Sequence, residues 1–168
     1  MACWQVRTVG NSATLRRTAL VEALNLRTAV ELQLRNVPAA SACLADMPPR
    51  TEAELDPVTL HNQALVALAV GGRPAEAGAL HKLMHLLAHP PSPPEAVGNL
   101  LSLCCRPGSL RPEVAQAVLA RHADLVEAHL VPEAAAFYRA CALRQQAPGE
   151  CTVQLDAVAG QYVERLRR

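Results

Sequence analysis

Three histidines have the spacing that most directly suggests chemistry in this sequence. His81, His85 and His89 are four residues apart, so on one helix their imidazoles would lie on one face. Two imidazoles in that arrangement can ligate Zn²⁺ or Ni²⁺. The intervening Lys82-Leu83-Met84 lacks the glutamate of the zinc-protease signature, and no nearby carboxylate would orient the rings. A histidine-based metal-binding protein is therefore the weaker interpretation, and no metal or other cofactor is predicted.

Nucleophiles and phosphate-binding loops have no recognisable setting in this chain. Cys104 and Cys105 are adjacent, without the two-residue spacer of a zinc or redox motif. We interpret them as buried thiols. The serines lack a surrounding motif that would supply a base and an oxyanion donor. Gly71-Gly72-Arg73-Pro74 lacks the Gly-Lys-Ser/Thr ending of a phosphate loop. The sequence therefore predicts a protein that is not an enzyme.

Composition excludes two further classes of partner. The 168 residues include 16 Lys+Arg and 15 Asp+Glu, a net charge of +1 that provides no broad basic surface for nucleic acid. The N-terminus has no apolar run of signal-peptide length, and no stretch of the chain reaches the length of a membrane span. We expect neither nucleic-acid binding nor membrane insertion.

Proline spacing predicts the elements that would position any functional side chain. Alanine and leucine dominate and aromatic residues make up only 2%, which favours an all-α fold. Prolines recur every 16–20 residues from Pro38 to Pro148, and each interval fits one helix and a loop because proline is favoured in the first helical turn. The predicted helices are 12–35, 38–47, 57–70, 74–88, 94–105, 112–128, 132–146 and 150–167.

Taken in pairs, these helices predict a repeat array. Two successive proline intervals sum to 36–39 residues, close to the roughly 34 of a tetratricopeptide repeat. We predict an α-solenoid of about four tetratricopeptide-like helix-turn-helix repeats over 12–168, after an N-terminal extension over 1–11. The predicted units are 12–56, 57–92, 93–130 and 131–168. Stacking of neighbouring units would bury the apolar stripe of each pair.

Apolar residues at helical spacing predict which face of each helix is buried. The predicted stripes are Leu15, Ala19, Ala23, Leu26, Val30 and Leu34; Ala77, Leu80, Met84 and Leu87; and Leu155, Val158, Tyr162 and Leu166.

Three asparagines repeat with the period of the array. Asn25, Asn62 and Asn99 are 37 residues apart, each in the first helix of its predicted unit. First helices usually line the concave face of such an array, so one hypothesis is a ladder of partner-binding amides. The alternative is that each amide bridges neighbouring backbone inside the stack. Ala40 and Ala77 share the period and are predicted to allow close packing.

Several unusual strings, spread from about Val6 to the C-terminus, carry a family resemblance. They are TALVEA at 18–23, DMPPR at 46–50, ELDPVTLHNQAL at 54–65, PPE at 93–95 with GNLL at 98–101, and LDAVAG at 155–160. Through them the chain resembles the tetratricopeptide repeat protein 30 family, also called fleer-type.

The resemblance implies a function that composition does not show. Members are core subunits of intraflagellar transport complex B, and their repeats wrap around a proline-rich segment of a neighbouring subunit. They serve cilium assembly, anterograde transport and polyglutamylation of axonemal tubulin. The resemblance therefore implies other complex B subunits as partners, and a location on intraflagellar transport particles in the cilium and in the cytoplasm.

The chain also departs from this family. Members are several times longer, and only their central stretch is matched. Aromatic residues of the relatives are replaced here by His85, Ser92, Val97 and Cys104. These departures leave open a fragment, a short isoform or a diverged copy with little function.

Overall fold

Only α-helices occur in residues 18–48, 55–106 and 111–167, the residues that the computed structural model describes. The predicted all-α class is confirmed. The predicted extension over 1–11 and the start of the first predicted helix lie outside the described residues. None of the described helices is long and apolar enough to cross a membrane.

The chain divides into two compact units. The first comprises Met1–Leu86 with Pro91–Pro93, and the second comprises Leu87–Pro90 with Pro94–Arg168. This division is coarser than the four repeats predicted from the sequence.

Four helices form or begin in the first unit: α1 (Leu20–Gln33), α2 (Val37–Ala45), α3 (Pro57–Val70) and α4 (Arg73–Ala88). Helix α1 pairs with α2, and α3 then packs against both. A helix pair followed by a third helix that packs against both members is an arrangement that repeat arrays use.

The second unit repeats this arrangement with five helices: α5 (Glu95–Cys105), α6 (Pro112–Arg121), α7 (Ala123–His129), α8 (Pro132–Leu143) and α9 (Pro148–Leu166). Helix α8 packs against both α5 and α6, and α9 pairs with α8. Helices α6 and α8 begin at Pro112 and Pro132, as predicted, and α9 begins at Pro148, two residues before its predicted start.

Local caps explain the helix boundaries around α3. The Asp56 Oδ1 atom accepts hydrogen bonds from the backbone N–H groups of Val58 and Thr59, both at 3.0 Å. This cap satisfies two of the amides that the first turn leaves without partners. At the other end Gly71 has φ 78°, a left-handed conformation that glycine adopts without steric cost, and the helix stops there.

One predicted helix is two helices in the structure. The prediction ran from 112 to 128, but His122 separates α6 from α7 with φ −121° and ψ 36°. Its N–H still donates to Val118 and its carbonyl still accepts from Val126, each at 3.0 Å. Neither proline nor glycine marks the break, so the proline spacing predicted one continuous helix.

The predicted stripe of α1 was wrong. Leu26 is 68% exposed and Leu34 is 70% exposed, whereas the buried residues are Asn25 and Thr28. The polar pair can be buried because both side chains are hydrogen-bonded; the Thr28 hydroxyl donates to the Leu24 carbonyl at 2.8 Å. The spacing of apolar residues therefore predicted burial for the face of α1 that points outward.

The predicted stripe of α4 is also displaced. Ala77 and Met84 are exposed. Apolar residues occur around most of this helix, so the spacing alone did not fix its orientation. Ala40 is fully buried in α2, as the close-packing prediction required, but Ala77 is not. The buried residues of α4 are Ala79, Leu80, Leu83, Leu86 and Leu87.

An unusual residue closes α1. Arg35 has φ 58°, the Asn36 N–H donates to the Glu31 carbonyl at 2.8 Å, and the Arg35 N–H donates to Leu32 at 3.0 Å. This is a Schellman ending, in which glycine normally occupies the left-handed position.

Replacing Arg35 by glycine should therefore stabilise the protein. A left-handed L-residue costs about 1–2 kcal/mol, and glycine loses about 0.5–1 kcal/mol more chain entropy on folding. The expected net gain in unfolding free energy is about 0.5–1 kcal/mol, measured by urea denaturation. Arg35→Ala is the control, because it keeps the Cβ atom and should give no gain. Equal stability of the two variants would contradict this account.

Candidate functional site

The structure brings two of the three predicted asparagines into direct contact. The Asn62 Nδ2 atom on α3 donates to the Oδ1 atom of Asn25 on α1 at 3.0 Å and to its backbone carbonyl at 3.1 Å. Asn25 and Asn62 are only 5% and 4% exposed. Their 37-residue spacing thus places one amide over the other across the contact between two first helices.

The contact continues as a chain of hydrogen bonds. The Asn25 Nδ2 atom donates to the Thr59 Oγ1 atom at 2.8 Å, and the Thr59 hydroxyl donates to the Asp56 carboxylate. Each group donates to the next, an arrangement in which the bonds polarise one another. The α3 cap and the α1–α3 contact are therefore parts of one buried network.

For Asn25 and Asn62 this geometry matches the bridging alternative that the sequence left open. Both amides are engaged inside the first unit, where they join α1 to α3. A partner-binding role for these two residues stays a prediction. A partner that contacts them would have to enter the buried network.

Asn99 lies at the surface of the second unit. It is half-buried on α5 and lines a groove of about 370 Å³. We call this the Asn99 groove; it is lined by Pro94, Glu95, Gly98, Asn99, Ser102, His129, Leu130 and Tyr138. Hydroxyl, amide and carboxylate groups stand there beside aliphatic and aromatic surface.

Two side chains of this groove were not singled out from the sequence. The hydroxyls of Ser102 on α5 and Tyr138 on α8 are 2.5 Å apart and connect two first helices. Ser102 and Tyr138 are 36 residues apart, close to the 37-residue period of the asparagines. Because one is a serine and the other a tyrosine, a search for repeated residue types does not relate them.

A glycine in the lining of the groove permits close packing. A Cβ atom added at Gly98 would lie 3.1 Å from the Leu130 Cδ2 atom, tighter than ordinary contact. Gly98 therefore allows Leu130, which follows α7, to approach α5 closely.

The three histidines are not arranged as one helical face. His81 and His85 lie on α4, but His89 lies just beyond its last residue, Ala88. Among the described residues no group of three or more His, Cys, Asp or Glu side chains is placed to hold a metal ion.

The cysteines of the second unit are thiols packed among helices. Cys104 is fully buried, and burial raises its pKa to about 11. Burial also raises the pKa of Cys105 to about 12, with the neighbouring Cys141 as a smaller cause. A thiol with so high a pKa is almost wholly protonated near neutral pH and is a poor nucleophile.

Comparison with known proteins gives one consistent result. The chain is similar to intraflagellar transport protein 70. It is 50% identical over 163 residues to the 70A protein of Bos taurus, a match that covers 97% of this chain and 24% of that protein. The 70A protein of Homo sapiens is 48% identical over 165 residues, or 98% of this chain and 24% of that protein. The 70A2 protein of Mus musculus is 48% identical over 163 residues.

The chain thus spans about a quarter of the length of the curated intraflagellar transport 70 proteins that it matches. No family model matches the sequence. The relatives' names agree with the intraflagellar-transport part of the resemblance found in the sequence. They do not mention tubulin polyglutamylation or a proline-rich partner.

Removing the Asn25 amide should destabilise the first unit strongly. Asn25→Ala removes two side-chain hydrogen bonds, one from Asn62 and one to Thr59; Asn62 keeps its bond to the backbone carbonyl of residue 25 and Thr59 keeps its bond to Asp56. The expected cost is about 1–3 kcal/mol in unfolding free energy. Asn25→Ala and Asn62→Ala should also be coupled by about 0.5–3 kcal/mol in a double-mutant cycle. Chemical denaturation measures both quantities.

Leu26→Ala, at an exposed position on the same helix, is the control and should change stability by less than about 0.5 kcal/mol. Additive effects of the two asparagine substitutions would show that the amides do not act together.

The cysteines predict a loss of stability in alkaline solution. The pKa values of Cys104 and Cys105 rise from an ordinary 9.0 to about 11 and about 12 in the folded protein. The folded state then retains protons that the unfolded state loses, so this contribution is complete below pH 9 and disappears as pH rises through the folded pKa values. Between about pH 8 and pH 10.5 the Cys104→Ala/Cys105→Ala variant should lose less unfolding free energy than the parent chain. Parallel pH dependences in the two proteins would contradict the assignment.

Proposed function

We propose that this chain is a non-catalytic, protein-binding scaffold of the intraflagellar transport 70 type and acts in intraflagellar transport complex B. The observation that carries the proposal is the 48–50% identity to intraflagellar transport 70 proteins along nearly the whole chain. The all-helical fold and the packing of α1 with α2 and of α8 with α9 support it, because stacked helix pairs present surfaces to partners. The relatives' name describes transport and supports a role other than catalysis.

From the resemblance we further infer the finer roles. These are cilium assembly, anterograde transport and polyglutamylation of axonemal tubulin, performed on intraflagellar transport particles in the cilium and in the cytoplasm. The partners are other subunits of complex B, and one of them contributes a proline-rich segment.

The Asn99 groove is the surface that we assign to this segment. An extended proline-rich chain has no internal backbone hydrogen bonds, so its carbonyls need donors from the protein that binds it. The Asn99 amide is a donor of this kind, and so is whichever of the Ser102 and Tyr138 hydroxyls does not donate to the other. The Tyr138 ring provides an apolar surface for proline. These groups come from α5 and α8, the first helices of the last two predicted repeats.

Binding of a labelled synthetic proline-rich peptide to the full chain, followed by fluorescence anisotropy, tests the assignment. Asn99→Ala and Tyr138→Phe should each weaken binding about fivefold, the effect of one lost hydrogen bond of about 1 kcal/mol. Gln33→Ala, at an exposed position on α1, is the matched control and should bind like the parent. Absence of binding by the folded chain would remove the proline-rich partner. If neither groove substitution weakens binding, the segment binds at another surface.

The complete asparagine ladder is tested by the Asn62→Ala/Asn99→Ala variant. If this variant remains folded and binds more weakly than Asn99→Ala alone, Asn62 takes part in partner binding. Equal affinities would restrict Asn62 to its bridge with Asn25.

A further inference from the structure

Two thiols meet between helices of the second unit. Cys105 is the last residue of α5, and Cys141 lies near the end of α8. Their side chains share a hydrogen bond. Both cysteines are free thiols and are only half-buried, so a small molecule can reach the pair. Two thiols in contact on different helices are the starting point for a disulfide bond.

The register of α5 and α8 explains why these two residues meet. Ser102 and Tyr138 are 36 residues apart in the chain, and their hydroxyls are 2.5 Å apart. Cys105 and Cys141 each follow three residues later, so they have the same offset of 36 and lie about one turn further along the same helix faces. Two contacts at one offset require that the helices run in the same direction. The thiol contact is therefore a consequence of how α5 packs against α8.

The surroundings give the two thiols different roles. Burial is the main cause that raises the pKa of Cys105 to about 12, and the interaction with Cys141 adds to it. Burial raises the pKa of Cys141 as well, but there the hydrogen bond from Cys105 and the charge of Arg144 act in the opposite direction. Because the thiolate is the nucleophile in disulfide chemistry, Cys141 is the attacking thiol and Cys105 is the resolving one.

The other cysteines of the second unit are less suited to this reaction. Cys104 precedes Cys105 in the chain but is 0% exposed, and Cys151 on α9 is 5% exposed. Cys151 influences Cys141 through its charge, whereas the hydrogen bond joins Cys141 to Cys105. In the described part of the chain no third ligand completes a metal site with the pair, which favours covalent pairing over metal binding.

From these observations we propose that Cys105 and Cys141 form a reversible disulfide that links α5 to α8 covalently. The oxidant is a small-molecule disulfide, with glutathione disulfide as the probe. The Cys141 thiolate attacks one glutathione sulfur, the sulfur–sulfur bond of glutathione disulfide breaks, and one glutathione thiolate leaves. The Cys105 thiolate then attacks the Cys141 sulfur of the mixed disulfide and releases the second glutathione. Two protein thiols are oxidised, one glutathione disulfide is reduced to two glutathione molecules, and the two thiol protons pass to the leaving thiolates.

Incubation of the full chain with glutathione disulfide in native buffer, followed by alkylation and peptide mapping, tests the proposal. The expected product has lost two hydrogen atoms and contains a bond between Cys105 and Cys141, and excess glutathione restores both thiols. Cys104→Ala is the matched control, because it removes the adjacent thiol and should leave the crosslink unchanged. Absence of this crosslink, or the same mixture of links in native buffer and in concentrated urea, would overturn the proposal.

Single substitutions test the order of the two steps. Cys105→Ala cannot resolve the mixed disulfide and should retain glutathione on Cys141. Cys141→Ala leaves only the less ionised Cys105 and should take up glutathione at least about threefold more slowly. Circular dichroism confirms that both variants remain helical. Equal rates of uptake in the two variants would contradict the roles assigned to the two thiols.

The crosslink should also stabilise the folded chain. A bond between residues 36 positions apart restricts the unfolded chain, so the urea midpoint of the oxidised protein should rise by about 1–2 M and return to its original value on reduction. Cys105→Ala treated in the same way should show no rise. An oxidised chain with an unchanged or lower midpoint would show that the bond does not fit the native packing of α5 against α8.

Discussion

The contact between the first helices of the first unit depends on one buried amide pair. Two apolar helices could slide along each other at little cost, whereas Asn25 and Asn62 satisfy each other only in one register. Their network includes the Asp56 cap of α3, so the position where α3 starts and the position where it meets α1 are set together. A buried polar group in this protein therefore specifies alignment, and the apolar residues around it supply the burial energy.

Packing in the second unit has a different basis. Its interior combines Leu100, Leu101 and Val126 with small side chains, among them Ala115 on α6 and Ala135, Ala140 and Ala142 on α8. Short side chains allow helix backbones to approach each other, which keeps the interior dense in a chain with few aromatic residues. An amide again bridges two helices: the Gln116 Nε2 atom donates to the Ala142 carbonyl at 3.0 Å. This bond satisfies a carbonyl near the end of α8 that the helix cannot satisfy itself.

The three described aromatic residues lie at the periphery of the second unit. Phe137, Tyr138 and Tyr162 border open grooves and do not form its centre. Large side chains in such positions offer contact area to a partner. The Asn99 groove combines amide and hydroxyl groups with a ring, whereas the groove between α8 and α9 is almost wholly apolar. Hydrogen-bond donors beside a ring are the chemistry that an extended chain with free carbonyls requires.

The sequence by itself determined the class of elements and most of their starts. Proline is tolerated in the first helical turn and excluded from the interior, so Pro57, Pro112, Pro132 and Pro148 mark helix starts without reference to the rest of the molecule. The period of 37 residues likewise identified Asn25 and Asn62 as related positions. These features are local or repeat along the chain, so they can be recognised from a single sequence.

The tertiary structure alone decided which faces are buried and where the surfaces lie. Leu26 and Leu34 face outward while Asn25 and Thr28 face inward, because hydrogen bonds from other residues remove the cost of burying polar atoms. The meeting of Ser102 with Tyr138 also depends on residues distant in sequence. The spacing of apolar residues shows how apolar a helix face is. It does not show whether the polar side chains of another face will find hydrogen-bond partners, and those partners fixed the orientation of α1.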